Sequence, residues 1–413
     1  MVECWLPYGN TEVFTTVNIR DLLGVAEPIH QDPTASPKEI VLKALSEPRG
    51  GKKLQELIGQ DCSVAIALEG SLTPSVTVQT LSVIVEQLVN LIISKEKITV
   101  ILANGARGKS SANLIKAIKG TDELKGVAII EHTKSSKGLI DVGKTNKGTT
   151  VSLEAAYAEA NLKIAIGEVN VDAYTGFTGA HTAIFPGIAS IPSIEANRRL
   201  IFKGDVKPGV MELNPVKEDA FEAVKLVGID MAFNLVVSNQ GKLLAAFAGN
   251  FEETLGQSVY HLGSSYVVEA VAGADIIIVS AGGARFDHDL YSATWALQGA
   301  NKLAKKGAAI ILLAECIEGL GADSYINLAG VDQLGELERR YQIGSEALQL
   351  IKTTTTKNDI WLVSSLPHLL VEPLGLKTAR TANEAYDKAC EQRRSRRTLV
   401  IPYGCSTVTN ITS

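Results

Sequence analysis

The side chains best suited to chemistry lie in a glycine-rich segment at residues 176–189, GFTGAHTAIFPGIA. Gly176 opens this segment, and the hydroxyls of Thr178 and Thr182 flank the imidazole of His181. Backbone N–H groups in a glycine-rich loop that opens a helix can bind an anion. A tight connector with close backbone packing explains the same residues equally well, so both interpretations stay open. His181 is the candidate acid or base, because an imidazole titrates near neutral pH.

A second candidate anion site is the turn NGARGKSS at residues 104–111. It is similar to part of a P-loop, but that motif needs four residues between its first glycine and the Gly-Lys pair. Only two residues separate Gly105 from Gly108, so nucleotide binding is not expected. Arg107 and Lys109 at the start of a helix are better suited to a small anion.

The six histidines form neither HExxH nor another metal-binding pair, so the sequence predicts no metal site. His288, which follows the strand-end glycines Gly282 and Gly283, is the second candidate histidine after His181. No GxSxG serine motif is present, and no GxGxxG motif follows a strand with an acidic residue at the distance that dinucleotide binding needs.

The elements that must position these residues alternate between short β-branched runs and helical patterns. A helical pattern at 76–94 follows the first of the buried runs, and a second series of runs begins near residue 260. This alternation predicts an α/β fold with mostly parallel sheets flanked by helices. The runs that we expect to be strands are 63–68, 98–103, 127–130, 162–166, 275–280, 308–313, 361–364 and 399–402.

The length of 413 residues predicts two domains. We expect an N-terminal domain at 1–255, with 400–413 as a candidate segment to rejoin it, and a C-terminal domain at 256–399. Residues 239–242 read as a hairpin turn before the boundary. Ligands of open parallel sheets bind at the carboxyl ends of strands. The loops after residues 68, 103, 166 and 280, and the cleft between the domains, are therefore the expected ligand site.

Composition and charge exclude several function classes. The net charge of −5 argues against nucleic acid as a partner. Five scattered cysteines without a CxxC predict reduced thiols in a cytoplasmic protein. The N-terminus lacks the pattern of a signal peptide, and no apolar run is long enough for a membrane span. A small ligand is the expected partner, and assembly into a homo-oligomer is left open.

Several motifs in order along the chain are shared with a known family. LPYG at 6–9, ALSEPRGGKKL at 44–54, IEAN at 194–197, and the runs 228–249 and 275–291 carry this likeness, together with the segment 168–189. The chain resembles the nickel-dependent lactate racemase family. The resemblance implies a two-domain fold and a racemase or epimerase of 2-hydroxy acids. It also implies a nickel pincer cofactor that is tethered to a lysine, a histidine that holds the nickel, and histidines that exchange the substrate proton.

The positions that carry the cofactor chemistry in that family hold other residue types here. The resemblance aligns the tether lysine with Thr182 and the nickel-binding histidine with Asn197 or Arg198. It aligns the two loop histidines with Asp172 and Arg107. A hydroxyl offers no nitrogen for the thioamide link, and an arginine does not bind nickel. No cofactor is therefore assigned, and the nickel pincer is not expected.

Two hypotheses follow from this combination. The first is an isomerase-type enzyme for a small carboxylate, with His181 and Asp172 as acid and base and Arg107 or Arg198 as the carboxylate clamp. The second is a non-catalytic paralogue that senses a small anion or partners an active subunit. The remaining ligand-binding candidates are Gly105, Gly176, Thr178, Thr182, Glu69, Thr73, Tyr291 and Trp295.

Overall fold

The computed structural model describes residues 1–70, 72–107, 112–263, 266–331 and 333–412. In chain order its strands are β1 (Val2–Tyr8), β2 (Thr11–Val17), β3 (Leu22–Val25), β4 (Val64–Glu69), β5 (Ile98–Ala103), β6 (Ala128–Glu131), β7 (Leu139–Lys144), β8 (Thr150–Glu154), β9 (Leu162–Glu168), β10 (Val171–Asp172), β11 (Gly176–Phe177), β12 (Met231–Val237), β13 (Leu243–Gly249), β14 (Val267–Val271), β15 (Ala274–Ser280), β16 (Ala304–Leu313), β17 (Asp359–Val363), β18 (Lys377–Ala379), β19 (Thr398–Ile401) and β20 (Val408–Thr412).

The α-helices alternate with these strands as the sequence predicts. They are α1 (Pro37–Ser46), α2 (Leu54–Leu57), α3 (Pro74–Asn90), α4 (Ala112–Lys119), α5 (Ala155–Ala158), α6 (Ala180–Ile184), α7 (Ile191–Arg198), α8 (Pro215–Val227), α9 (Phe251–Leu262), α10 (Leu290–Ala293), α11 (Ala296–Leu303), α12 (Ser324–Asn327), α13 (Leu334–Arg339), α14 (Ser345–Thr355), α15 (His368–Val371) and α16 (Ala382–Glu391).

The chain forms two compact units. The central unit is His30–Gly263, and the terminal unit combines Met1–Ile29 with Ser264–Ser413. This division differs from the predicted ranges 1–255 and 256–399, and it places 400–413 in the terminal unit instead of the N-terminal domain. The cause is strand pairing over a long sequence distance, since β19 pairs with both β15 and β3. Such pairing leaves no local signal in the sequence.

The central unit is built on a sheet of order β13-β12-β9-β4-β5-β6. Its strands are parallel except for the β12–β13 hairpin, which confirms the predicted turn at 239–242. Ile66 in β4 lies opposite Val100 in β5 and Ile164 in β9, and all three are fully buried. Strands covered on both faces need such continuous aliphatic runs. The chain order reverses at β4, because β5 and β9 lie on its opposite sides.

The terminal unit is built on a parallel sheet of order β18-β17-β16-β15-β19-β3. Leu290, Leu297 and Leu348 belong to the apolar core on one face. The β1–β2 hairpin and α16 contribute to the core on the other face, where Leu6 and Val17 join the buried strand residue Ile278. The expected α/β class with mostly parallel sheets is therefore confirmed. Within the described part of the chain, no helix has the length and apolar character that a membrane crossing needs.

Candidate functional site

The carboxyl ends of β4, β5 and β9 carry the best-formed candidate site in the central unit. Glu69 ends β4 and Glu168 ends β9, and the backbone N–H of Glu168 donates to Oε2 of Glu69 at 2.9 Å. Glu168 is buried, whereas Glu69 is half-buried. Ligands of open α/β sheets bind where the strand order reverses, which in this sheet is between β4 and β9. The predicted loops after residues 68, 103 and 166 therefore meet at one edge.

The turn after β5 lies against the end of the glycine-rich segment. The N–H of Gly105 donates to the carbonyl of Gly187 at 2.8 Å. Gly105 has a positive φ of 51°, and a Cβ atom there would lie 3.4 Å from the carbonyl oxygen of Pro186. Arg107 ends this turn and is half-buried. The structure thus joins the two predicted anion-binding segments, although Lys109 lies outside the described residues.

The glycine-rich segment is a tightly packed connector. A Cβ atom on Gly167 at the end of β9 would lie 2.2 Å from the carbonyl oxygen of Gly179, so only glycine permits this approach. The Thr182 hydroxyl donates to that carbonyl at 2.6 Å and accepts from the N–H of Gly179 at 3.2 Å. Both functions of the hydroxyl are therefore used within the turn. Of the two interpretations left open by the sequence, these contacts favour close packing.

His181 is sealed inside the central unit. Its side chain is 1% exposed, and its ring meets Phe221 edge-on at a centroid distance of 4.9 Å. Among the described residues, neither ring nitrogen has a hydrogen-bond partner. Burial, with a smaller contribution from the charge of Lys217, lowers the pKa of His181 to about 3. The imidazole is therefore neutral at physiological pH and makes no hydrogen bond to Asp172.

Asp172 shapes the loop that precedes the glycine-rich segment. Its Oδ2 accepts from the N–H groups of Tyr174 at 3.1 Å and Thr175 at 2.6 Å, and from the Thr175 hydroxyl at 2.8 Å. This is the aspartate turn that favours a compact loop. Thr178 donates to the carbonyl of Glu168 at 2.7 Å. Gly176 has a φ of 84°, and a Cβ atom there would meet the carbonyl of Val210 at 2.4 Å.

Helix α7 and its neighbours hold the two residues that resemblance places at the nickel ligand. The guanidinium of Arg198 lies over the Tyr174 ring, 4.3 Å from its centroid. The side-chain amide of Asn197 is buried and donates to the carbonyl of Val216 and to Oδ2 of Asp219, both at 2.9 Å. The amide nitrogen is therefore committed to a structural network.

That network is centred on Asp219, which is fully buried in α8. Besides the Asn197 amide, it accepts from the hydroxyls of Thr145 at 2.5 Å and Thr149 at 2.9 Å. A buried carboxylate is tolerated only when its oxygens are hydrogen-bonded in this way. Asn214 caps α8 by accepting from the N–H groups of Val216 and Lys217, which fixes the start of the helix.

One buried histidine–carboxylate pair was not predicted from the sequence. His132 and Glu154 are 1% and 5% exposed, and Nδ1 of His132 lies 2.6 Å from Oε1 of Glu154. Nε2 lies 3.0 Å from the carbonyl of Ala189. A carbonyl oxygen only accepts hydrogen bonds, so Nε2 carries a proton that it donates to Ala189. A second proton must then lie between Nδ1 and Oε1 of Glu154. The partners are 22 positions apart in the chain, so no local sequence pattern marks the pair.

The three remaining candidate residues, Thr73, Tyr291 and Trp295, contact other parts of the protein. Thr73 precedes α3 and packs against Gly241 of the hairpin turn. A Cβ atom on Gly241 would lie 3.2 Å from the Thr73 methyl group. In the terminal unit, the Tyr291 hydroxyl donates to Oε1 of Glu346 at 3.0 Å. Trp295 is half-buried and packs on the apolar core of that unit.

A groove of about 400 Å³ in the central unit lies apart from these residues. It runs along α1 and β13 and borders the segment 44–54, and no predicted site residue lines it. Its charged or titratable lining side chains are Glu39, Lys43, Glu47, Arg49 and His261.

Comparison with known proteins decides the family. The model for the lactate racemase N-terminal domain matches residues 8–208, and the model for the lactate racemase C-terminal domain matches residues 268–409. The chain belongs to the lactate racemase family. It is 26% identical over 338 residues to the lactate racemase of Thermoanaerobacterium thermosaccharolyticum, covering 79% of this chain and 77% of the relative. It is 24% identical over 429 residues to the lactate racemase of Lactiplantibacillus plantarum, covering 99% and 100%.

Solved structures share the fold of this lactate racemase family member. The lactate racemase apoprotein from Thermoanaerobacterium thermosaccharolyticum matches with a TM-score of 0.85 at 24% identity, over 99% of this chain and all of that one. A crystal structure of a Thermotoga maritima protein matches with a TM-score of 0.70 at 15% identity, over 93% and 100%. The two-domain α/β architecture is therefore common to both.

At the positions that the resemblance aligns with the tether lysine and the nickel-binding histidine, the residues present do not supply the groups that a nickel pincer needs. Position 182 offers a hydroxyl that is bonded within its own turn, where the tether requires an amine. Nickel requires an imidazole nitrogen, whereas position 197 offers an amide bonded to Asp219 and Val216, and position 198, the alternative, offers a guanidinium that lies over the Tyr174 ring. His181 is nearby in sequence, but its ring packs on Phe221 in apolar surroundings.

Proposed function

We propose that this lactate racemase family member binds a small 2-hydroxycarboxylate at the carboxyl ends of β4, β5 and β9, and that it does so without a nickel pincer. The observation that carries the proposal is the convergence of three loops where the strand order reverses. This edge combines the half-buried Arg107 with the carboxylates of Glu69 and Glu168. A cation suits the ligand carboxylate, and carboxylate oxygens can accept from the ligand hydroxyl.

In the isomerase form of this proposal, Arg107 or Arg198 holds the carboxylate, while His181 and Asp172 exchange the proton. The imidazole of His181 would then have to leave its apolar surroundings, since a general base must reach the proton that it removes. Thr178 and Thr182 would also have to give up hydrogen bonds within the loop, at 2.7 and 2.6 Å, to reach a ligand. Catalysis therefore requires rearrangement of the segment 176–189.

The second candidate is a non-catalytic sensor or partner subunit that keeps the ligand site. The sealed imidazole of His181, with its pKa lowered to about 3, favours this candidate. A group with that pKa is a weak base at neutral pH, and proton transfer is most efficient when the pKa lies near the working pH. The carboxylate of Asp172, which stabilises its own turn, points in the same direction.

Ligand binding and proton exchange test the two candidates separately. Calorimetric titration with lactate, glycolate, malate and sugar acids should detect a ligand, and Arg107→Ala should weaken its affinity at least tenfold. Arg199→Ala is the matched control, because Arg199 is exposed and next to Arg198. Equal affinity of the Arg107→Ala variant and the wild type for every ligand bound would refute the site.

Proton exchange is then followed for the ligands that bind. Incorporation of deuterium at the α-carbon in D₂O, lost in His181→Gln, supports the isomerase. Binding without exchange supports the sensor. Exchange that survives His181→Gln and Asp172→Asn together would refute the assigned acid and base.

A further inference from the structure

Two loops of the terminal unit hold a second group of candidate ligand atoms. One loop follows β15 and the other follows β16, and these strands are parallel neighbours in the sheet. The loops are joined by backbone hydrogen bonds, so side chains on one are held in register with those on the other. The donor and acceptor pairs are Cys316 to Asp287 at 2.7 Å, Glu318 to His288 at 2.7 Å, Leu290 to Gly319 at 3.1 Å and Tyr291 to Leu320 at 3.1 Å.

His288, Asp289 and Glu318 converge at this junction. One ligand atom from each lies within 4.8 Å of the other two. Nε2 of His288 is 3.5 Å from Oδ2 of Asp289. Two donors that bind one Zn²⁺ at about 2.1 Å with a tetrahedral angle lie about 3.4 Å apart. The observed separation therefore suits two ligands of a single ion.

Asp289 is fixed in its position by two features. Its Oδ1 accepts from the N–H of Ser292 at 2.7 Å, so the carboxylate plane is set and Oδ2 faces His288. Gly321 has a φ of 79°, and a Cβ atom there would lie 2.3 Å from the carboxyl carbon of Asp289. Glycine is thus required beside this carboxylate. Hydrogen bonds that orient a ligand raise the metal affinity of a site.

We propose that His288, Asp289 and Glu318 bind a divalent first-row transition-metal ion of the Zn²⁺ class. An imidazole nitrogen with two carboxylate oxygens is a donor set for zinc, cobalt, nickel or manganese, whereas magnesium and calcium prefer oxygen alone. The side chains of His288 and Asp289 are 13% and 7% exposed, and Glu318 is exposed to solvent. An ion can therefore enter from solvent and keep water in its remaining positions.

All three residues belong to the terminal unit, whereas the loops of the proposed carboxylate site belong to the central unit. These residues also have ordinary hydrogen-bond partners; Nε2 of His288, for example, lies 3.1 Å from the Ser292 hydroxyl. A plain surface ion pair is thus the competing explanation. It predicts no saturable binding of a transition-metal ion.

The test uses the full chain after removal of metals with a chelator. Titration with Zn²⁺ against a chromophoric chelator should show one tight site, and Co²⁺ should give the visible absorption of a protein-bound ion. His288→Gln and Glu318→Gln should each weaken the binding of Zn²⁺ at least tenfold. The exposure of Glu318 makes unfolding of the Glu318→Gln variant unexpected, and circular dichroism checks the fold of both variants.

The matched control is His368→Ala. Nε2 of His368 lies 3.8 Å from Glu372, but no third ligand joins this exposed pair in the described part of the chain. This variant should bind Zn²⁺ like the wild type. Absence of tight Zn²⁺ binding, or equal binding by the wild type and a folded Glu318→Gln variant, would overturn the proposal.

Discussion

Acid should destabilise the central unit through His181. The pKa of the folded state is lowered to about 3, whereas an unfolded histidine titrates near 6.5. Below about pH 6.5 His181 binds a proton in the unfolded chain but stays neutral in the folded chain. The free energy of unfolding therefore falls as the pH decreases from 6.5 toward 3. One pKa unit corresponds to about 1.4 kcal/mol. The loss should therefore be about 2 kcal/mol at pH 5 and about 4 kcal/mol at pH 3.

The assay is urea unfolding at pH 7 and pH 5, compared between the wild type and His181→Leu. Leucine keeps the apolar packing on Phe221 and removes the titrating group, so the variant should lose about 2 kcal/mol less than the wild type over this interval. His30→Leu is the control, since its side chain is 49% exposed and should leave the pH dependence intact. Equal pH dependence of the wild type and His181→Leu would refute the burial of a neutral imidazole.

Two further predictions concern buried polar groups of the central unit. Asn197→Ala should cost about 3 kcal/mol, because it removes two hydrogen bonds, one of them to the buried Asp219 carboxylate. Thermal unfolding should show this loss of stability. As the control, Asn146→Ala changes an exposed side chain and should stay within about 0.5 kcal/mol of the wild type. Equal melting temperatures of the two variants would contradict the network. His132→Leu should cost about 3–5 kcal/mol in urea unfolding by stranding Glu154, whereas the double variant His132→Leu with Glu154→Leu should recover most of it. A double variant no more stable than the single one would oppose this.

The sequence predicted the central strands of both sheets because their aliphatic runs are local signals, whereas the short edge strands β3 and β18 were not among the predicted runs. The run at 98–103 and the hairpin turn at 239–242 are found in the structure at the predicted positions. The strand expected at 308–313 begins earlier in the structure, because α11 ends at Leu303 and β16 begins at Ala304. Strand termini depend on neighbours such as β15, which pairs with Ala304 through Ala274.

The environment of the candidate residues could not be predicted, because it depends on distant partners. His181 looks like an acid or base in its glycine-rich segment, yet Phe221 on α8 covers its ring. The resemblance aligns the nickel-binding histidine with Asn197 or Arg198, but the side-chain amide of Asn197 donates to Asp219 and Val216. The membership of β1, β2 and β3 in the terminal unit also depends on distant residues, since β3 pairs with β19 and the β1–β2 hairpin packs on the core around Ile278.

The central claim is that this member of the lactate racemase family does not carry the nickel pincer. Its most direct test is to measure the intact mass and the nickel content of the purified protein. The chain should be expressed in cells that load a lactate racemase with its cofactor, with that enzyme as the positive control. We expect the mass of the unmodified polypeptide and nickel far below one equivalent. The reason is that the resemblance aligns the tether lysine with Thr182 and the metal ligand with Asn197 or Arg198, and none of these side chains can replace a lysine amine or an imidazole. A covalent adduct together with one equivalent of nickel would contradict this expectation.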